Sequence, residues 1–232
     1  MENLLGKLST DFLELLNDKE DYNVIINVGN SPNSKRFQAH SNILRYRSLY
    51  FKNELLDANK DENNIKTIEL KHITIQQFDF IIKYIYGGII SLENLEISFI
   101  LDLILISYEF LMYELAEHLE THLIENNKNR LLTKFPHVYE FAFKTYKLWK
   151  LQNWCINIAS KYPEKIFDSD DFTSLQEYSL ISLLKCDNLQ MDEVKIWNYV
   201  IKWGLAQNPD LPNDPKIWSH ENLLAMKLFS LG

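Results

Sequence analysis

Strand-forming patterns in this 232-residue chain are nearly confined to residues 21–70, and that confinement is the strongest constraint on its fold. Asp21 to Val28 is a β-branched run, Gly29 to Ser34 is rich in turn formers, and Lys35 to Ala39 resumes an extended pattern, which together predict a hairpin. A polar loop from Asn59 to Asn64 precedes a third expected strand, Ile65 to Leu70. After it, only Ile89 to Leu92 reads as a short extended piece. So small a sheet has to be covered by helices to bury its apolar face. The expectation is an α+β first half and an all-α second half.

Helical signals surround the strands. Leu4, Leu5, Leu8, Phe12, Leu15 and Leu16 recur at helical spacing and predict an amphipathic helix over residues 1–17. Ile43, Leu44, Leu49 and Phe51 mark a short helical region. Thr74 and Gln77 have capping-box spacing, with Ile73 and Phe78 at the positions of a hydrophobic staple, so a helix is predicted from Ile75 to Tyr86, ended by Gly87-Gly88. Leu95 to Asn126 carries enough apolar periodicity for two consecutive helices. Its apolar stretch, Ile97 to Met112, is broken by Asp102 and Glu109 and is shorter than the roughly 20 residues of a membrane span, so it reads as a helix buried on most sides.

The polar run Asn126 to Arg130 places a domain boundary near residue 128. Beyond it, Phe135 onward is helical, punctuated by Pro163 and by Asp168 to Asp171. Ser174 and Glu177 have the spacing of a second capping box, ahead of Leu180, Leu183 and Leu184. Val194, Trp197, Val200 and Ile201 form the last helical stripe. Pro209, Pro212 and Pro215 predict a loop after Trp203, followed by a short closing helix from His220.

A net charge of −8 leaves no diffuse positive field to hold nucleic acid or anionic lipid. No dinucleotide or phosphate-loop glycine motif and no nucleophile elbow is present, so no catalytic residue and no cofactor is assigned. His118 and His122 share a helical face, but the glutamate between them is not where a zinc protease needs it, and no metal site is expected. The five tryptophans read as core and interface, and Asp168 to Asp171 as a solvated turn. Cys155 and Cys186 have neither zinc nor disulfide spacing and are expected buried and reduced. The first sixteen residues lack a basic segment ahead of an uninterrupted apolar run, so the expected compartment is the cytoplasm or nucleus.

The order Asp21-x-x-Val24, Phe37-x-Ala39-His40, Ile43-Leu44-x-x-Arg47-Ser48-x-Tyr50-Phe51 closely resembles the opening of a BTB (POZ) domain. Ile68-x-Leu70, Phe78 and Tyr84-Ile85-Tyr86-Gly87-Gly88 continue it. Asp171-Phe172, Leu183-Leu184-x-x-Asp187-x-Leu189-x-Met191 and Glu193 to Trp203 resemble a BACK domain. The resemblance implies a BTB domain over residues 18–126, a small sheet covered by helices, after the helix of residues 1–17, and an all-α BACK domain over residues 127–232.

By that resemblance the chain is a non-enzymatic interaction module that pairs with a second copy. The helix stripe Leu4, Leu5, Leu8, Phe12, Leu15 and Leu16, with Asp21, is placed at the homodimer interface, the other reading of the stripe being packing on its own subunit. Many BTB-BACK proteins hold cullin-3 and present a protein substrate for ubiquitin transfer. Their hydrophobic-x-Glu contact corresponds here to Leu55-Leu56-Asp57, with aspartate for the usual glutamate, and Tyr108 to Tyr113 completes that surface. Leu55 and Leu56 capping the domain core is the competing reading. The alternative function is an oligomerising scaffold that touches no cullin. A corepressor-binding role is weakened because Ser41 stands where a basic residue follows the histidine. The substrate is unknown, and no substrate-recognition domain follows the BACK pattern, so the chain is expected to be part of a longer protein.

Overall fold

The computed structural model describes residues 2–225 apart from 19, 146, 187 and 213. The chain divides into two compact units between Leu123 and Ile124.

In the first unit, α1 (Glu2–Asn17) precedes β1 (Val24–Asn30) and β2 (Asn33–Ala39), and α2 (Ser41–Arg47) and α3 (Leu49–Asp57) lead to β3 (Lys66–Leu70). Then come α4 (Ile75–Gly87), α5 (Ile97–Glu109) and α6 (Tyr113–Asn126). The sheet has the order β2-β1-β3. β1 runs antiparallel to β2, with Val24 opposite Ala39, and parallel to β3, with Val24 opposite Lys66. A parallel pair needs a crossover, and α2 with α3 supplies it. Along β1, Val24, Ile26 and Val28 are fully buried while Ile25 and Asn27 are half-buried, the alternation of a sheet covered on one face.

Aromatic side chains fill the space above that face. Phe37 meets Phe78 edge-on at 4.8 Å, Phe51 meets Phe110 at 5.2 Å, and Tyr50 stacks on Phe110 at 4.6 Å. Ser48 is the N-cap of α3, accepting from the backbone N–H of Phe51 at 3.4 Å. Its hydroxyl donates to the carbonyl of Phe110 at 2.9 Å, which ties the start of α3 to the corner between α5 and α6.

The capping box at α4 forms in both directions: Thr74 Oγ1 accepts from Gln77 N–H at 3.2 Å, and Gln77 Oε1 accepts from Thr74 N–H at 2.8 Å. Ile73 and Phe78 are both buried. Gly88 ends the helix at φ 65°, where a side chain would be strained, and its N–H donates to the Tyr84 carbonyl. Near that end, Tyr86 Oη accepts from the backbone N–H of His40 at 2.8 Å and lies 2.9 Å from His40 Nδ1. This bond joins α4 to the end of β2, and burial pushes the Tyr86 phenol up to about 12.

The second unit contains α7 (Lys128–Thr133), α8 (Phe135–Lys144), α9 (Trp149–Lys161), α10 (Glu164–Phe167), α11 (Glu177–Leu184), α12 (Glu193–Gln207) and α13 (His220–Ala225). α8 packs against α9, α10 and α11. Phe135 meets Trp154 at 5.8 Å, and Tyr139 stacks on Phe143 at 4.5 Å. Phe167, Phe172 and Tyr199 form a second cluster, and Trp203 Nε1 donates to the Leu175 carbonyl at 2.8 Å. Cys155 is buried, which pushes its thiol well above the usual range, and Cys186 is half-buried.

Four expectations change. Ile89 to Leu92 joins no ladder; Ile89 is exposed. Ser174 caps no helix, because its hydroxyl donates to the Asp171 carbonyl at 2.7 Å and closes a 3-10 turn, so α11 begins only after Gln176. α12 runs a turn past Trp203, to Gln207. Its apolar stripe is split: Val200 and Trp203 are buried, whereas Val194 and Trp197, centred about a third of a turn away, are exposed.

Unfolded tyrosine titrates near 10, below the folded value of Tyr86, so unfolding above that pH releases a proton. Stability is therefore unaffected by this group below about pH 10 and falls as pH rises from about 10 toward 12. Urea midpoints followed into that range are expected to decline, and to decline less steeply in Tyr86→Phe.

Candidate protein-interaction surfaces

α1 lies on α4 of its own unit. The approach is close: a Cβ added at Gly87 would stand 3.0 Å from both Leu13 Cγ and Ser9 Oγ, so glycine is what lets the helix seat. Ser9 is buried there, with Leu13 and Leu16 half-buried. The adjoining face is open, with Leu4 74% and Leu5 67% exposed, and Leu8, Phe12 and Leu15 exposed beside them. An open groove of about 830 Å³ runs along this helix, lined by Leu5, Leu8, Phe12, Ile43, Tyr46 and Ile89. A run of leucines facing water on a folded unit marks a surface that meets another protein, a membrane or an apolar ligand.

The own-subunit reading of the stripe accounts for only part of it. α1 does pack on its own subunit, but through Ser9 and Leu13, and most of the apolar stripe is left outward. Sequence periodicity could not separate the two faces, because the seated face is the less apolar one. Asp21 is exposed at φ 53°. The polar pair in that region is Asn23 with Ser41: Ser41 N–H donates to Asn23 Oδ1 at 2.8 Å and Asn23 Nδ2 donates to Ser41 Oγ at 2.9 Å.

The second surface lies at the end of α3 and the α5–α6 corner. Leu55 is 3% exposed and its carbonyl accepts from Lys66 Nζ, whereas Leu56 is 66% exposed and Asp57 is exposed. The signal for this was present: Leu55 follows Phe51 by four residues, and Phe51 is the buried side chain of that helix face. Tyr108 is buried and its hydroxyl donates to Glu120 Oε1 at 2.7 Å, with Glu120 fully buried. Burial first, then that carboxylate, pushes the Tyr108 phenol far above its usual range. Tyr113 is 54% exposed, its ring 6.1 Å from that of Tyr108. Burial, with the charges of Glu54 and Glu109, raises Tyr50 to about 12, which marks this corner as acidic. Of the four residues expected on this surface, Asp57 and Tyr113 reach it and Leu55 and Tyr108 belong to the core.

His118 is exposed and His122 half-buried; among the described residues, no group of three or more histidine, cysteine or acidic side chains gathers where it would hold a metal. No described helix is long and apolar enough to cross a membrane.

The first unit is thus a small mixed sheet under helices that bears an outward apolar helix, and a helical unit follows it. The BTB/POZ domain family matches residues 12–127, and the BACK family, "BTB And C-terminal Kelch", matches residues 135–220. The chain belongs to the BTB/POZ family and carries a BACK domain behind it.

It is similar to human BTB/POZ domain-containing protein 9, 26% identical over 171 residues that cover 73% of this chain and 27% of that protein. It is also similar to cowpox virus Kelch repeat and BTB domain-containing protein 1, 29% identical over 189 residues that cover 79% of this chain and 30% of that protein. The chain thus spans less than a third of the length of these relatives. Among solved structures, the BTB domain of human gigaxonin aligns with 50% of this chain and 85% of its own at 20% identity, with a TM-score of 0.37.

Truncating the two kinds of residue is expected to separate core from surface. Leu55→Ala should cost about 2–5 kcal/mol and Tyr108→Phe about 1.5–3 kcal/mol, since the latter strips a buried carboxylate of a donor. Leu56→Ala and Tyr113→Ala should stay within about 0.5 kcal/mol of the parent, as read from urea unfolding midpoints.

Proposed function

We propose that the chain is the dimeric adaptor part of a cullin-3 ubiquitin ligase, acting in the cytoplasm or nucleus and presenting a protein substrate. Membership of the BTB-BACK family supports an adaptor role, and some relatives carry Kelch repeats by name. The observation that carries the reading is Leu56, an exposed leucine beside an exposed carboxylate, Asp57, at the end of α3. Leu56 thus takes the contact role that the family resemblance implied for Leu55. Burying one such side chain contributes about 1.5–3 kcal/mol, a sizeable part of the roughly 8 kcal/mol of a micromolar complex. The dimer is placed on the open stripe of α1, where two copies cover each other's leucines.

The second reading is an oligomerising scaffold that binds no cullin. The burial of Leu55 favours it, because the apolar position of the hydrophobic-x-Glu element is already committed to the domain core.

Calorimetric titration with the N-terminal domain of cullin-3 tests the first reading. Micromolar binding is expected, weakened about ten- to a hundredfold or more in Leu56→Ala with Asp57→Ala. No binding by the unaltered chain overturns it in favour of the scaffold. Dimerisation is checked separately by light scattering: Leu8→Glu with Phe12→Glu is expected to give a monomer of unchanged helical content, and a variant that remains dimeric removes α1 from the interface.

A further inference from the structure

The loop between α3 and β3 closes through an isolated antiparallel bridge between Lys60 and Lys66, so two lysines face each other directly. Like charges in that position destabilise a strand pair. Arg45 of α2 lines the same depression of about 180 Å³, with Asn23, Ser41, Leu55 and Asn64. Among the described residues none of these three cations forms an ion pair. The chain as a whole carries a net charge of −8, so this is a local concentration of positive charge against the trend.

The hydrogen bonding of the depression is one-sided. Asn23 Oδ1 accepts from Ser41 N–H, and Ser41 Oγ accepts from Asn23 Nδ2. Asn64 Oδ1 accepts from Lys60 Nζ at 3.4 Å, and the Leu55 carbonyl accepts from Lys66 Nζ. These acceptors are engaged. Donors are left over: the guanidinium of Arg45, the remaining ammonium protons of Lys60 and Lys66, the Ser41 hydroxyl and the Asn64 amide. Surplus donors with positive charge suit an oxyanion, and an arginine fork can hold two of its oxygens at once. The volume falls below the roughly 300–1,000 Å³ of sites for whole small molecules, so the depression has room for one group and not for a cofactor.

We propose that this depression is an oxyanion subsite that takes a single phosphate-class group, supplied free or on a phosphorylated side chain of a partner. Arg45 and Lys60 supply positive charge to the bound group, and Lys66 also holds the loop by its bond to Leu55. The bound group relieves the repulsion across the Lys60–Lys66 bridge. None of this depends on cullin-3.

Thermal unfolding of the full chain in phosphate against chloride at matched ionic strength is the test. Arg45→Gln with Lys60→Gln removes charge from two exposed side chains and leaves Lys66 in place. Lys165→Gln with Lys202→Gln removes as much from the second unit and serves as control. Phosphate is expected to raise the unfolding temperature of the parent and the control in a saturable way, and the Arg45/Lys60 variant should need about tenfold more phosphate or show no saturation. Equal responses overturn the proposal, because general exclusion of phosphate from protein surfaces raises all three alike. Fluorescence anisotropy of a labelled phosphoserine peptide, beside its serine counterpart and competed with inorganic phosphate, distinguishes the source. Phosphopeptide binding tighter than that of phosphate and lost in the variant places the anion on a partner side chain. Binding no tighter than phosphate places a free anion there, and no binding of either overturns the site.

Discussion

The first unit depends on one hydroxyl. Ser48 starts α3 by accepting from Phe51 and at the same time fastens that start to the Phe110 carbonyl, so α3 and the corner after α5 are positioned by a single buried side chain. Around it, Tyr50, Phe51 and Phe110 close in edge-on and stacked contact. The end of α3 and the start of α6 take their places from that anchor, and with them Leu56, Asp57 and Tyr113. The residues available to a partner are thus set by a polar contact that no partner touches.

Much of the fold was legible in the sequence because it rests on local chemistry. The Thr74–Gln77 box with its Ile73–Phe78 staple is a contact between near neighbours, and it formed as read. The strands followed from a β-branched run and its turn. What was not legible depends on how elements lie against each other. Leu55 and Leu56 are adjacent leucines, and although Leu55 shares a helix face with Phe51, that this face is the one turned inward is decided by the seat of α3 against β3. Ser174 had the spacing of a cap but spent its hydroxyl on a 3-10 turn, since Leu175 is not helical.

The candidate surfaces show the same division. A stripe of leucines on α1 could be recognised, but its split into a seated face and an open face required knowing that Gly87 admits Ser9 and Leu13. Val194 and Trp197 likewise sit on a helix that is apolar on two sides, and only packing shows which side the core takes. The Lys60–Lys66 bridge is a matter of strand register across a loop, and no spacing in the chain announces it.

The seating of α1 on α4 carries a consequence for the kinetics of assembly. Because the helix is already ordered on its own unit, the pairing proposed above through its outer face would be the docking of two finished surfaces, with little chain left to immobilise. Such a pair associates without a folding step and separates without unfolding. In the dimer proposed above, subunits would be free to trade places with those of a related chain bearing a similar stripe, and its composition would follow the relative abundance of the available chains.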